Sequence, residues 1–484
     1  MLDRARAISS YLETSLRGIE RRAVAAVTVA TVLLTLAPAS LAQDAAGDSA
    51  EAAGASSNAD PQDGGNAAKS KGILPVPEYG GDLWSRSYLL GDLGGARSDL
   101  ANKGIQWNVQ FVQTLQSVVD GGRETQTKYG GTLDYNLTLD FDRMGLIPGG
   151  LLTFRAESRY GETVNGIAGP LLPVNLDGAV PLTSTLDEDI PFTITNLNYT
   201  QFLSEKLGVV VGKFDLLQGD YNEFASGRGV SQFMNFNLVT NAPGAYPAGY
   251  SALGGGFFVM PTEQITIYNY IFTTQDSSTT TGFDTLDEGW TWNSEAYVQY
   301  KLGELPGGLM GGINYSFDAD FSRLSGWYRE PGGGVLQASN KDDTWSIYFN
   351  GWQYLYIEDA AAGPVDITDG KQDLQGIGVF ARLAFADEDT NPVKLFASIG
   401  LGGRGIIPGR DDDSFGVGYF YQDLGESSLT NLLGTEDNSQ GVEAYYSLAV
   451  SPSTFLTADI QVLDSPSPGL DTSWVLGLRL KMTF

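Results

Sequence analysis

S-W-V-L-G-L-R-L-K-M-T-F, residues Ser473 to Phe484, places Trp474, Leu476, Leu478, Leu480, Met482 and Phe484 on one face of a period-2 strand. Val475, Gly477, Arg479, Lys481 and Thr483 fall on the other, so one face is apolar and the other polar. A soluble strand is usually about 5 to 6 residues long, and this alternation runs unbroken to the last residue. Trp474 and Phe484 are separated by roughly 33 Å at about 3.3 Å per residue. With a tilt of about 40° this projects to roughly 25 Å, the height of the apolar band of an outer-membrane barrel with an aromatic at each rim. No unpaired strand edge can face lipid, so the last strand must close on a first one and the rest of the chain must supply the other staves.

Composition agrees. Gly 61, Tyr 23 and Phe 23 with 18% charged residues suit alternating strands and glycine turns. The chain has no Cys and no His, which excludes disulfides, thiolate chemistry and the commonest general base and metal ligand. A net charge of -29, from 58 acidic and 29 basic residues, argues against a nucleic-acid partner, because phosphate contacts need a basic surface. Serine hydrolysis through a histidine is excluded, and no carboxylate pair stands out for glycoside hydrolysis. No enzyme, cofactor or metal is expected.

Residues 21 to 42 combine Arg21-Arg22, an apolar core and the small residues Ser40 and Ala42 before Gln43. This pattern predicts a signal peptide over 1–42, cleaved after Ala42, and ordinary secretion. Residues 43–72, rich in Ala, Gly, Ser, Asp and Asn, read as a disordered low-complexity tether. The segment 73–104 then carries a short helix, capped by Asp92 and ended by Gly104.

From 105 to 484 the two-faced pattern recurs. A strand at about 105–116 mirrors the last one and can close against it, and one at about 132–142 alternates Leu133, Tyr135, Leu137, Leu139 and Phe141 with Asp134, Asn136, Thr138, Asp140 and Asp142. With further candidates the total is about sixteen. Long segments at about 161–192, 216–252 and 319–343 alternate with short turns such as S-E-K and P-T-E, as external loops and periplasmic turns do. The parity blurs between about 357 and 414. The fold expected is therefore all-β, a transmembrane antiparallel β-barrel of about 16 strands with a short N-terminal helix and a disordered tether.

Several stretches resemble the carbohydrate-selective porins of the OprB family: G-D-L-G-G-A-R-S-D-L-A-N-K-G-I from Gly91, G-I-G-V-F-A-R-L-A-F-A-D from Gly376, F-A-S-I-G-L-G-G-R-G-I-I-P-G-R from Phe396, and E-A-Y-Y-S-L-A-V-S-P-S-T-F-L-T-A-D-I-Q from Glu443. The resemblance implies a barrel in the outer membrane of a Gram-negative bacterium that passes monosaccharides and related small solutes by facilitated diffusion. A general or anion-selective porin is the alternative. Expected partners are small sugars, outer-membrane lipid and, during biogenesis, the barrel-assembly machinery that terminal aromatics such as Phe484 address; a homo-oligomer is compatible with the sequence.

A sugar offers hydroxyls and an apolar C–H face, so a suitable constriction combines charged groups with aromatic planes, and it must bind weakly to keep flux. Alternation points Arg155, Glu157 and Arg159 into the lumen, along with Lys213, Asp215 and Arg382. Tyr348, Trp352 and Tyr354 form a period-2 aromatic rail on the face of Ser346 and Asn350. The charged ladder also fits a merely solvated wall, and the rail a lipid-facing girdle. A long loop, 161–192 or 216–252, is placed to fold inward and narrow the pore.

Overall fold

The structure, a computed structural model, describes residues 72–183, 188–218, 221–245, 249–330, 334–337, 339–358 and 374–484. The expected leader and all but the last residue of the expected tether lie outside these residues. No helix among the described residues is long and apolar enough to cross a membrane. The chain crosses with strands instead.

Sixteen antiparallel strands close into one barrel. In chain order they are β1 (Ile105–Asp120), β2 (Thr127–Asp140), β3 (Gly150–Gly161), β4 (Ile190–Ser204), β5 (Leu207–Asp215), β6 (Ser251–Thr262), β7 (Ile265–Thr273), β8 (Trp290–Leu302) and β9 (Leu305–Phe317). Within the next loop, β10 (Phe321–Ser322) pairs with β13 (Asn340–Lys341), and β11 (Trp327–Arg329) with β12 (Val335–Gln337). The wall resumes with β14 (Thr344–Ile357), β15 (Gly376–Ala386), β16 (Leu395–Arg404), β17 (Ser414–Asp423), β18 (Asn438–Ser451), β19 (Thr454–Asp464) and β20 (Ser473–Thr483). Each wall strand pairs with its neighbours in sequence, and β20 closes on β1 with Leu115 opposite Leu478 and Thr114 opposite Arg479.

Exposure follows the alternation. On β20, Trp474, Leu476 and Leu478 are exposed while Ser473, Val475, Gly477 and Arg479 are buried, as expected of an outer face in lipid and an inner face covered by protein. The blurred parity resolves once the strands are counted: β14 ends and β15 begins on the periplasmic side, and the short 387–394 joins β15 to β16 outside. That short outer turn is tied to its neighbours. Asn391 donates to the Pro243 carbonyl at 3.2 Å, Asp387 pairs with Lys341, and the Thr344 and Thr390 hydroxyls meet at 2.6 Å.

The N-terminal helix spans Ala96–Asn102 behind a 3-10 turn at Leu93–Gly95. Asp92 caps it from a distance, its Oδ1 accepting from the Ser98 amide at 2.8 Å, and Gly104 ends it with φ +90°. The outer face yields a first expected result: Leu478→Arg, near the middle of the apolar band, should destabilise the barrel by about 2–4 kcal/mol, whereas Thr138→Arg on the inner face should cost little. Equal losses of heat-resistant folded barrel in the two variants would contradict the assigned faces.

Candidate functional site

The loop after β5 fills much of one side of the lumen. Residues 221–245 lie across the inner faces of β14–β20, with Phe224, Phe233, Met234 and Leu238 almost wholly buried. The wall makes room with glycine. Gly378, Gly402 and Gly416 stand side by side on β15, β16 and β17, and Gly400 stands beside Gly418. A Cβ at Gly378 would come within 2.2 Å of the Phe224 ring, one at Gly416 within 2.7 Å of Phe233, and one at Gly418 within 2.7 Å of Leu238. These missing side chains form a trough, and the loop's apolar residues occupy it. Phe233 packs edge-on against Tyr445 at 4.9 Å, and Phe224 against Tyr354 at 4.8 Å.

Polar wall residues hold the loop backbone, which would otherwise carry buried unpaired groups. Arg382 donates to the carbonyls of Leu238 (2.9 Å) and Ala225 (2.5 Å). Arg479 donates to the carbonyls of Gly229 and, at 2.7 Å, Gln232. Glu443 accepts from the amides of Met234 (2.5 Å) and Asn235 (3.0 Å), and Asn222 donates to Asn350 at 2.7 Å.

The expected site residues therefore separate. Tyr348, Trp352, Tyr354 and Arg382 face inward, but Trp352 and Tyr354 are packed under Phe224 and Arg382 is spent on the loop. Arg159 is likewise an anchor, donating to the Pro181 carbonyl and the Thr183 hydroxyl (each 2.8 Å) and the Glu188 carbonyl (3.1 Å). Lys213 departs from the inward expectation. It stands in register with Leu197, which is exposed on the outer face, and its ammonium donates to the carbonyls of Ile194, Ser277 and Thr280 at 2.6–2.7 Å. Alternation itself carries Lys213 outward, since it shares the parity of the exposed Val209 and Val211 in an unbroken register with β4; the run Val209–Val211 is apolar on both parities and does not say which face is which.

Arg155, Glu157 and Asp215 do come together. Arg155 donates to Asp215 at 2.8 Å and lies 3.5 Å from Asp134. A residue that alternation did not single out, Arg228 of the loop, completes the cluster: it is 2.6 Å from Glu157 and 3.4 Å from both Asp134 and Asp215. The Tyr250 hydroxyl donates to Glu157 at 2.7 Å. Burial works against the Arg228 charge, but Asp215, Tyr250, Glu157 and Asp134 outweigh it and hold the guanidinium protonated well above its ordinary range. Arg228 has φ +53° between Gly227 (+79°) and Gly229 (+81°), a strained conformation that the surroundings must enforce. The G-R-G triplet inside a long loop was the available signal. Nearby, burial pushes the Asp177 carboxyl above its ordinary value, opposed by the Thr132 hydroxyl that donates to it at 2.8 Å.

A tyrosine cluster stands on the inner faces of β7 and β8. Tyr268 and Tyr270 on β7 stack at 5.8 Å, and Tyr268 pairs across the sheet with Glu295. Their neighbours Ile271 and Trp292 are exposed on the opposite, outer face. Tyr297 lies 6.3 Å from Tyr221, a loop residue that is 40% exposed. Glu295 accepts from the Tyr348 hydroxyl, which in turn accepts from Asn293 at 2.7 Å. The site thus offers planar rings beside hydrogen-bonding groups.

The family model "Carbohydrate-selective porin, OprB family" matches residues 124–484. No curated protein sequence matches the chain. Among solved structures, OprB of Pseudomonas putida at high pH is similar over 83% of this chain and 99% of its own, with 19% identity and a TM-score of 0.69. Its low-pH structure is similar over the same shares, with 14% identity and a TM-score of 0.51. At these identities the structures speak for the fold alone. The family match covers most of the barrel, and the chain belongs to the OprB family of carbohydrate-selective porins, outer-membrane channels of Gram-negative bacteria.

Proposed function

We propose that sugars pass the barrel between the infolded loop and the wall formed by β1–β8. The observation that carries this reading is the pairing on one lumen of two unlike surfaces. Arg155, Arg228, Asp134, Glu157 and Asp215 form a paired charged cluster, largely buried, whose guanidinium side chains keep 11% and 9% exposure, and Tyr221, Tyr268 and Tyr270 with Glu295 supply rings beside a carboxylate. A pyranose can present its C–H face to a ring and its hydroxyls to the charges, and dispersed weak contacts keep it moving. Three carboxylates against two guanidinium groups give an anion-selective pore little support. Arg159, Lys213, Arg382, Tyr348 and Trp352 then serve by holding the loops that shape the path.

Residues 1–42 and 43–72 fit an export leader and a periplasmic tether, and Phe484 fits a tag for the assembly machinery. No turnover of the transported sugar is expected. Liposome swelling with sugars of increasing size tests the reading: monosaccharides should enter fastest, and current through planar bilayers should be blocked by them reversibly. Equal permeation by sugars and by uncharged non-sugar solutes of the same size would favour a general diffusion pore.

A further inference from the structure

Residues 79–102 precede the span matched by the family model and lie against the outside of the barrel at its periplasmic end. They are fixed by a buried cation. Arg97 is 1% exposed, and its guanidinium lies 4.5, 4.1 and 4.4 Å from the ring centroids of Tyr79, Tyr88 and Trp107. It donates to the carbonyls of Trp107 at 2.6 Å and Phe484 at 3.0 Å, and the Leu89 amide donates to Thr483 at 2.7 Å, so the segment spans the seam between β1 and β20. Trp107 belongs to the outer face, since it pairs with Leu137 and shares the parity of the exposed Leu115 without a break in register.

While this cation and these amides are used on the barrel, Leu83, Leu90, Leu93 and Leu100 are exposed, and Trp84 is 68% exposed. Single exposed apolar residues need no explanation in a soluble protein. Here their place decides their meaning. A segment stapled to the lipid-facing side at the rim of a membrane barrel sits where hydrocarbon gives way to water, the depth favoured by Trp and by amphipathic interfacial segments.

We propose that residues 79–102 are an interfacial lipid-binding collar, held by Arg97 and lying among the phospholipids of the periplasmic leaflet. The collar continues the lipid-facing surface of β1 outward along the membrane plane. It also covers the seam where the barrel closes.

The chain has no Cys, so a single introduced Cys can be labelled cleanly. Nitroxides at Trp84→Cys and Leu93→Cys, with Asp99→Cys as the exposed polar comparison, are measured in phospholipid proteoliposomes by collision with oxygen and with a water-soluble nickel chelate. The expected result is an oxygen-to-nickel ratio severalfold higher at 84 and 93 than at 99. In the Arg97→Ala background the ratios at 84 and 93 should fall to that at 99 while the barrel keeps its heat-modifiable migration. Nickel access at 84 and 93 equal to that at 99 would overturn the proposal. So would shielding from both reagents with dipolar broadening between labels, which would assign the surface to a second copy of the chain. Unchanged ratios in Arg97→Ala would overturn the role given to Arg97.

Discussion

Replacing Arg382 and Arg479 together by Ala is expected to raise single-channel conductance severalfold and to make the open current noisy. The two side chains supply four hydrogen bonds to loop carbonyls, those of Leu238, Ala225, Gly229 and Gln232. At about 1.5–3 kcal/mol per bond to a charged group, the loss is large, and the four loop carbonyls are left without these donors. The apolar grip remains. Phe224, Phe233, Met234 and Leu238 each contribute about 1.5–3 kcal/mol by burial, so the loop should loosen and sample open positions while the barrel stays folded. An independent route to the same end is Gly402→Leu, because a Cβ there already lies 2.9 Å from Phe224 and the added branches must displace it. Planar-bilayer recordings decide. Wild-type conductance in both variants, with the heat-modifiable barrel intact, would mean that the loop does not set the pore.

The sequence carried the wall almost completely and the constriction only in part, for one physical reason. Each strand of a barrel repeats the same contrast between lipid and water, so period 2 can be read strand by strand, and even the end of β5 at Asp215 and the span of β19, Thr454–Asp464, follow from it. A loop folded into a lumen repeats nothing. Its partners are set by three-dimensional closure, so alternation could say that Arg382 points inward but not that the loop backbone would consume it. The trough had a visible trace. G-I-G, G-L-G-G and F-G-V-G put glycines on the inner faces of three successive strands, which is a poor choice for a water-lined wall and a good one for a wall that must accept a loop. The rail at Trp352 faces inward, but the ring of Phe224 packs over it, and Phe224 lies more than a hundred residues earlier in the chain, where no strand pattern can announce the contact. Lys213 shows the opposite failure. Val209, Val210 and Val211 are apolar on both parities, so the hydrophobic pattern leaves open which face Lys213 shares, and the register with β4 and β6 puts it with the exposed Val209 and Val211.

Arg228→Ala is expected to have the larger effect on selectivity, turning the channel strongly toward cations and abolishing most sugar block. The side chain lies between three carboxylates, Asp134, Glu157 and Asp215, and Arg155 alone would remain to balance them. Removing one partner from a buried charge cluster costs about 3–5 kcal/mol, because the others keep their desolvation and lose their counter-ion. The cluster can relieve this only by admitting water and cations, which is what the reversal potential in a salt gradient would report. The same logic predicts a rescue. In Arg228→Ala with Glu157→Gln, one carboxylate charge is removed with the arginine, the amide can still accept from Tyr250, and the reversal potential should return most of the way to wild type. Sugar block should not return with it if the Arg228 guanidinium itself contacts hydroxyls, so the double variant separates the charge of the cluster from its role in recognition. A wild-type reversal potential in Arg228→Ala alone would remove this cluster from the permeation path and leave the tyrosines of β7 as the part of the lumen that meets the sugar.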